Sequence, residues 1–262
     1  FFFNHNPAYE MLRSLVGSEM CIRDSACGVN EKNTRELRET DFYTSHEALL
    51  LPYEQAFTRI DSTTGEWYNV NSHFLWVGDR TRDPNGAHIH YLSGIKNPLG
   101  LKVGPSTTID DLKKNIEILN PENEGGRLTL IVRMGADKIN SKYPDLLKEI
   151  NKLGLNLTWI CDPMHGNTST SKSGYKTRAT ENIFKEIQSF FEIHKSEGSV
   201  AGGVHLELTG LDVTECVGGP DDIKDENLGD RYHTFCDPRL NVNQSLELSF
   251  LLADLLSNGE MN

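Results

Sequence analysis

The sequence predicts a parallel α/β fold, either a barrel or a doubly wound sheet, on three observations. Short apolar runs alternate along the chain with helical patterns. The runs are near-continuous rather than alternating, which means that both faces of each strand are buried. No GxGxxG turn follows the first run, so a dinucleotide-binding sheet lacks its phosphate turn. The length of 262 residues suits a barrel of about 250.

The elements follow in order. Residues 44–57 read as a helix, with Ser45 able to cap it and Ala48, Leu49 and Leu51 as apolar positions. Residues 73–78 (HFLWVG) read as a buried strand, 84–94 as a short helix, and 99–103 (LGLKV) as a strand ending in Gly104-Pro105. Residues 108–119 form an amphipathic helix with Asp110 and Asp111 in its first turn, where the macrodipole favours them. A strand over 128–133 is followed by a helix over 142–153 that Gly154 stops. A strand over 156–161 precedes a long helix over 178–196, with Ile183, Ile187, Phe190 and Phe191 on one side. Residues 200–206 read as a further strand and 243–256 as a closing helix. Residues 220–230 are an acidic surface loop, and no fixed-period repeat or low-complexity linker is seen.

Residues 1–25 are expected to stand apart. They fit a targeting segment poorly, because Asn4, His5, Asn6 and Pro7 break the apolar stretch and no Lys or Arg precedes it. MLRSLVGSEMCIRDS resembles translated adapter sequence, so 1–25 are set aside as a non-native or disordered leader, and the fold is read over 26–262.

Composition excludes several classes. Lys plus Arg number 26 against 38 Asp plus Glu, a net charge of −12, which argues against a general nucleic-acid binder. No apolar run has the 18 or so residues of a membrane helix. Five cysteines without a CxxC pair give neither a zinc ribbon nor a disulfide framework, and suggest a reducing, cytoplasmic setting.

The chemistry is placed by the strand ends. In a parallel barrel the carboxyl-terminal ends converge on the face that holds the site. Those ends here carry Gly78-Asp79-Arg80-Thr81-Arg82, then Lys102, then Arg133-Met134-Gly135, then Cys161-Asp162-Pro163-Met164-His165-Gly166-Asn167 and His205-Leu206-Glu207. A later loop carries Cys236-Asp237-Pro238-Arg239. Arg80, Lys102 and Arg133 come from three strands and together call for a phosphate or carboxylate, Arg as a flat fork and Lys as a point charge. Any one of them could instead pair with a neighbouring acid such as Asp79. His165, Glu207 and Asp237 suit a divalent ion of borderline hardness, Mn²⁺, Fe²⁺, Co²⁺ or Zn²⁺. They lie on separate segments, and a single His among nine is as readily structural. His205 is a competitor or supporting partner. Cys161 and Cys236 lie beside the site without an evident base, Cys216 reads as an ordinary loop residue, and Trp67, Trp76 and Trp159 read as core or interface aromatics.

Six blocks in order carry a family resemblance: GDRTR (78–82), GIKNPLGLKVGP (94–105), RMG (133–135), CDPMHGNT (161–168), GGVHLELTG with VTEC and GG (202–219), and RYHTFCDPRLN with QSLEL (231–247). Over about residues 26–257 the chain closely resembles the class II (plant and microbial type) 3-deoxy-D-arabino-heptulosonate-7-phosphate (DAHP) synthases, and specifically their carboxyl-terminal portion. The resemblance implies a TIM-type (β/α)8 barrel, here expected to be incomplete, with its opening strands missing. It implies a transferase, 3-deoxy-7-phosphoheptulonate synthase. That enzyme condenses phosphoenolpyruvate with erythrose 4-phosphate and releases phosphate, the first step of the shikimate pathway to chorismate and the aromatic amino acids.

Residue by residue, the resemblance implies metal binding by His165, Glu207 and Asp237, with Mn²⁺ or Co²⁺ first and Fe²⁺ or Zn²⁺ behind them. It implies phosphoenolpyruvate contacts from Asp79, Arg80, Lys102 and Arg133, where the family usually has Glu in place of Asp79. Lys102 and His165 are the catalytic candidates, with bound water as a third route for protons. The family's fourth metal ligand, a Cys on the first barrel strand, and its GQxAKPR-like block do not appear, and Cys27 sits in a different context. The chain alone is therefore expected to bind metal weakly and to be inactive, with a homo-oligomer formed at full length. Neither nucleic acid nor membrane is an expected partner, and a plastid replaces the cytoplasm if the source is a plant or alga. Two alternatives stand beside this: a catalytically inactive truncated fragment or barrel scaffold, and a different metal-dependent lyase or aldolase on the same barrel.

Overall fold

The computed structural model describes residues 43–260, with side chains through Ser257. The leader 1–25, with Cys21, and Cys27 lie outside the described residues. Contacts divide the chain between Ser45 and His46, and the unit His46–Asn262 holds the wall of strands, the helices and the site.

The central sheet has five strands in the order β1 (Ser45–Glu47), β4 (Phe74–Val77), β5 (Leu99–Val103), β6 (Leu128–Val132) and β7 (Thr158–Cys161). β4 to β7 pair in parallel, each with the next, in registers such as Leu75 with Leu99, Leu101 with Leu130 and Leu130 with Trp159. Beyond β7 the wall continues by single parallel bridges, Cys161 with Val204 and Leu208 with Leu240. Each new strand joins the far side of the last without reversal. A doubly wound sheet reverses, so this is the wall of a parallel α/β barrel, and it is not closed among the described residues.

The strands are buried on both faces, as their apolar runs require; every residue of β5 is buried. Gly100 is demanded there by crowding, since a Cβ on it would lie 2.8 Å from Phe74 and Trp76 atoms and 2.9 Å from Ile131. On the outside run α2 (Ala87–Ser93), α3 (Ile109–Leu119), α4 (Ile139–Asn151), α5 (Thr180–Ser196) and α6 (Val242–Glu260), each packed against the next. Thr108 caps α3, its hydroxyl accepting the Asp111 N–H at 3.1 Å. Leu112, Ile116 and Leu119 of α3 face the core. The core joins these residues to Leu99, Leu101, Leu130 and Val132 of the strands and to Ile183, Ile187 and Phe190 of α5.

Several expectations change. The segment 44–57 is not one helix. It is β1 followed by a short helix α1 (Leu51–Ala56), with Pro52 in the first turn, where its missing N–H costs no intrahelical bond. Leu50, not Ser45, occupies the cap. The helix expected from 142 begins at Ile139 and contains Pro144. Residues 200–206 contribute only the bridge at Val204, since Gly202 and Gly203 interrupt regular pairing. Two antiparallel hairpins are additions to the expected elements, β2 (Thr58–Ile60) with β3 (Trp67–Asn69) and β8 (Thr168–Thr170) with β9 (Lys176–Arg178). Cys216 is fully buried, so it is a core residue, and Cys161, Cys216 and Cys236 are free thiols. Of the tryptophans, Trp159 is core, Trp67 is exposed and Trp76 is partly buried.

Candidate functional site

The carboxyl-terminal ends of the wall open into a cavity of about 470 Å³. Asp79, Arg80, Lys102, Arg133, His165, Glu207 and Asp237 all line it. Seven residues from six segments therefore meet where the strand-end pattern puts them.

On the strand side, Lys102 leaves β5 buried and forms a very short ion pair with Asp162, just past β7. Its ammonium also lies 5.8 Å from the Trp76 ring centre. Asp162 accepts the Met164 N–H at 3.0 Å and the His165 N–H at 3.2 Å. Burial works to raise its carboxyl, but the Lys102 charge and the His165 hydrogen bond outweigh it and hold Asp162 well below the usual range. Arg133, just past β6, pairs with Asp79 at 2.9 Å and donates to the His165 carbonyl at 2.8 Å. Asp79 also takes Arg82 at 2.9 Å. The alternative pairing of a strand-end cation with Asp79 is thus realised for Arg133. Arg80 is exposed and has no ion pair among the described residues.

On the other side, ligand atoms of His165, Glu207 and Asp237 lie within 4.8 Å of one another. His165 commits Nδ1 to Asp162 at 2.8 Å, which leaves Nε2 toward Glu207 at 3.3 Å and Asp237 at 3.7 Å. A carboxylate on the remote imidazole nitrogen is the usual support of a metal-binding His. One nitrogen and two carboxylates therefore fit a borderline divalent cation. Burial lowers the imidazole, but hydrogen bonds to Asp162 and Glu207 prevail and bring His165 up to about 9. His205 is not part of this group; burial and the Lys102 charge push it down to about 4, and its ring meets Trp76 edge-on at 5.0 Å.

Sequence reasoning missed the supports. Arg178 of β9 is wholly buried and pairs very closely with Glu207 and the Pro238 carbonyl, and it donates to Thr168 Oγ1 at 3.1 Å. Its Nη2 has no hydrogen-bond partner among the described residues. Lys176 of the same strand pairs closely with Asp237. Buried Glu215 accepts the Thr234 N–H at 2.8 Å, the Arg239 N–H at 2.9 Å and the Arg239 guanidinium at 2.7 Å. These bonds flank Asp237. Buried Glu186 of α5 accepts the Met134 and Gly135 N–H groups, each at 2.8 Å. Glu186 carries a signal in the sequence, because it falls on the apolar face with Ile183, Ile187 and Phe190. The Cys161 thiol is buried and pushed far up by burial, so it is no nucleophile here.

The Class-II DAHP synthetase family model matches residues 4–253. The chain is 53% identical over 230 residues to a phospho-2-dehydro-3-deoxyheptonate aldolase of Streptomyces coelicolor, covering 88% of this chain and 50% of that protein. It is 47% identical over 237 residues to a protein of the same name, AroG, of Mycolicibacterium smegmatis, covering 88% of this chain and 50% of that one. It is 46% identical over 252 residues to a Catharanthus roseus protein named "Probable phospho-2-dehydro-3-deoxyheptonate aldolase, chloroplastic", covering 96% of this chain and 48% of that one. The chain thus spans about half the length of the curated relatives it matches. Among solved structures it is similar to the Thermotoga maritima phospho-2-dehydro-3-deoxyheptonate aldolase, with a TM-score of 0.49, 16% identity, and coverage of 83% of this chain and 51% of that one. No helix among the described residues is long and apolar enough to cross a membrane.

Proposed function

The chain belongs to the Class-II DAHP synthetase family, and we propose that it supplies the metal side and the phosphoenolpyruvate side of a 3-deoxy-7-phosphoheptulonate synthase site. The reaction joins C3 of phosphoenolpyruvate to the aldehyde carbon of erythrose 4-phosphate, adds water at C2 and releases phosphate. The observation that carries this reading is a single cavity lined by His165, Glu207 and Asp237 together with Lys102 and Arg133. His165, Glu207 and Asp237 would hold a divalent ion, Mn²⁺ or Co²⁺ before Fe²⁺ or Zn²⁺. When bound, the ion supplies Lewis-acid polarisation of the aldehyde oxygen.

The chain's own residues do the rest. Arg80, Lys102 and Arg133 grip the phosphate and carboxylate of phosphoenolpyruvate, with Asp79 orienting Arg133. Fixing C3 against the aldehyde converts a bimolecular encounter into a positioned one. Buried Lys102 is a catalytic candidate as a proton donor or a point charge beside the developing oxyanion, and His165 or a bound water serves the remaining proton transfer. Cytoplasmic residence is part of the same proposal, with a plastid as the alternative that the name of the Catharanthus roseus relative supports, and so is a homo-oligomer at full length.

Titrating the purified chain with Mn²⁺ and with phosphoenolpyruvate tests the reading. Mn²⁺ binding that H165A abolishes, and phosphoenolpyruvate binding that R133M abolishes, are expected. Absence of both binding events in the unmodified chain would overturn it. An assay for phosphate release from the two substrates then separates an active site from an inactive fragment.

A further inference from the structure

We infer that Glu186 is a positioning residue that braces the Arg133-bearing loop against the His165-bearing loop, so that the anion grip and the metal ligand keep one fixed separation. This rests on the roles proposed for Arg133 and His165.

The geometry is specific. Glu186 sits on α5, away from the cavity, and is fully buried. One carboxylate oxygen accepts the N–H groups of Met134 and Gly135, each at 2.8 Å. The other accepts the Asn167 side-chain amide at 2.6 Å. Asn167 also accepts the Ala136 N–H at 2.9 Å and donates to the Pro163 carbonyl at 2.8 Å. One carboxylate and one amide thus stitch residues 134–136 to residues 163–167. The two loops also meet backbone to backbone. A Cβ on Gly166 would lie 2.4 Å from the Gly135 nitrogen, and one on Gly135, at φ 85°, would lie 2.7 Å from the Gly166 carbonyl oxygen. Arg133 closes the joint from the cavity side through the His165 carbonyl.

All three partners of Glu186 are donors, so a carboxylate is the acceptor the site needs. Gln offers one acceptor and two donors. Flipping Asn167 to suit it would break the Ala136 bond, so E186Q leaves at least one buried donor unpaired. Burial raises the Glu186 carboxyl to about 7, against the hydrogen bonds it accepts, so its charged form carries a desolvation cost that a filler side chain would avoid.

Amide hydrogen exchange reads the brace without any ligand. In E186Q, exchange is expected to speed up at least tenfold in peptides covering both 133–136 and 163–168. E186D should recover part of that protection. N167A, which cuts the stitch from its more exposed end, should reproduce the effect even if E186Q does not fold. Mn²⁺ and phosphoenolpyruvate titrations should then show both affinities falling about tenfold in E186Q. I187A, a core change one residue along α5, should lower the melting temperature while leaving both affinities within twofold. Exchange that accelerates at only one loop or at neither overturns the inference, as does a melting-temperature loss in E186Q with both affinities intact. If the unmodified chain binds neither ligand, the functional reading fails, and the exchange result still decides the brace.

Discussion

The two sides of the cavity are held in place by different means. Lys102 and Arg133 leave β5 and β6, whose backbones are fixed by continuous parallel ladders with a neighbour on each side. Glu207 and Asp237 leave segments that contribute only single bridges to the wall. There the missing ladder is replaced by buried charge. Arg178 reaches Glu207 and the Pro238 carbonyl, and Glu215 collects backbone N–H groups on both flanks of Asp237. Where the ladder sets the geometry of the strand, support from outside the cavity is confined to the loop beyond its end, as Glu186 gives residues 134 and 135. Where it does not, residues outside the cavity must carry the geometry, and those residues become the sensitive ones.

The largest effect that would break this contrast is at Glu215. E215A leaves the Thr234 and Arg239 N–H groups and the Arg239 guanidinium without their acceptor. A loss of about 2–4 kcal/mol is expected in urea unfolding, because two N–H groups lose a buried acceptor while Arg239 stays partly exposed. A loss under about 1 kcal/mol would mean that the loop is held some other way.

A second test reads the core behind the strand side. His194 is buried against Tyr143 and Phe190, with its ring nitrogens 2.7 Å from Tyr143 Oη and Ser199 Oγ. Burial holds it down to about 4 from 6.5. The unfolded chain binds this proton first as pH falls, so the stability His194 contributes is full above about 6.5 and is lost on the way to about 4. Unfolding of the chain and of H194Q should therefore differ by up to about 3 kcal/mol less at pH 4 than at pH 7. A pH-independent difference would sink this assignment.

A third sharpens what the strands themselves depend on, which is packing. G100A forces a methyl against Phe74, Trp76 and Ile131. It should cost about 1–3 kcal/mol in the same unfolding measurement. The smallest effect is expected at Arg133, whose pair with Asp79 is partly exposed. R133M should change stability by no more than about 1 kcal/mol while abolishing phosphoenolpyruvate binding. A stability loss as large as that of E215A would erase the contrast between the two sides.

The same contrast decides what could be read from the sequence. The strands β4 to β7 and the helices α3 and α5 were legible, because buried parallel strands are near-continuous apolar runs and amphipathic helices repeat every three to four residues. Thr108 marked a true helix start, whereas Gly154, at φ 62°, closes the turn that follows α4 after Asn151. The seven cavity residues were legible by position and by family resemblance together. The supports were not. Arg178 and Glu215 look like any surface charge in a polar stretch, and nothing local reports that tertiary contacts bury them. Glu186 was partly legible, since a carboxylate on the apolar stripe of α5 needs donors. The β8–β9 hairpin was not, because three-residue strands of Thr, Ser, Lys and Arg carry no apolar alternation.

The glycine contact between the loops after β6 and β7 also sets a limit on redesign. Positions 135 and 166 tolerate a single residue type each, so a mutagenesis library aimed at altering ligand preference should hold both constant. Diversity belongs instead at solvent-facing positions that neither line the cavity nor pair with a residue that does.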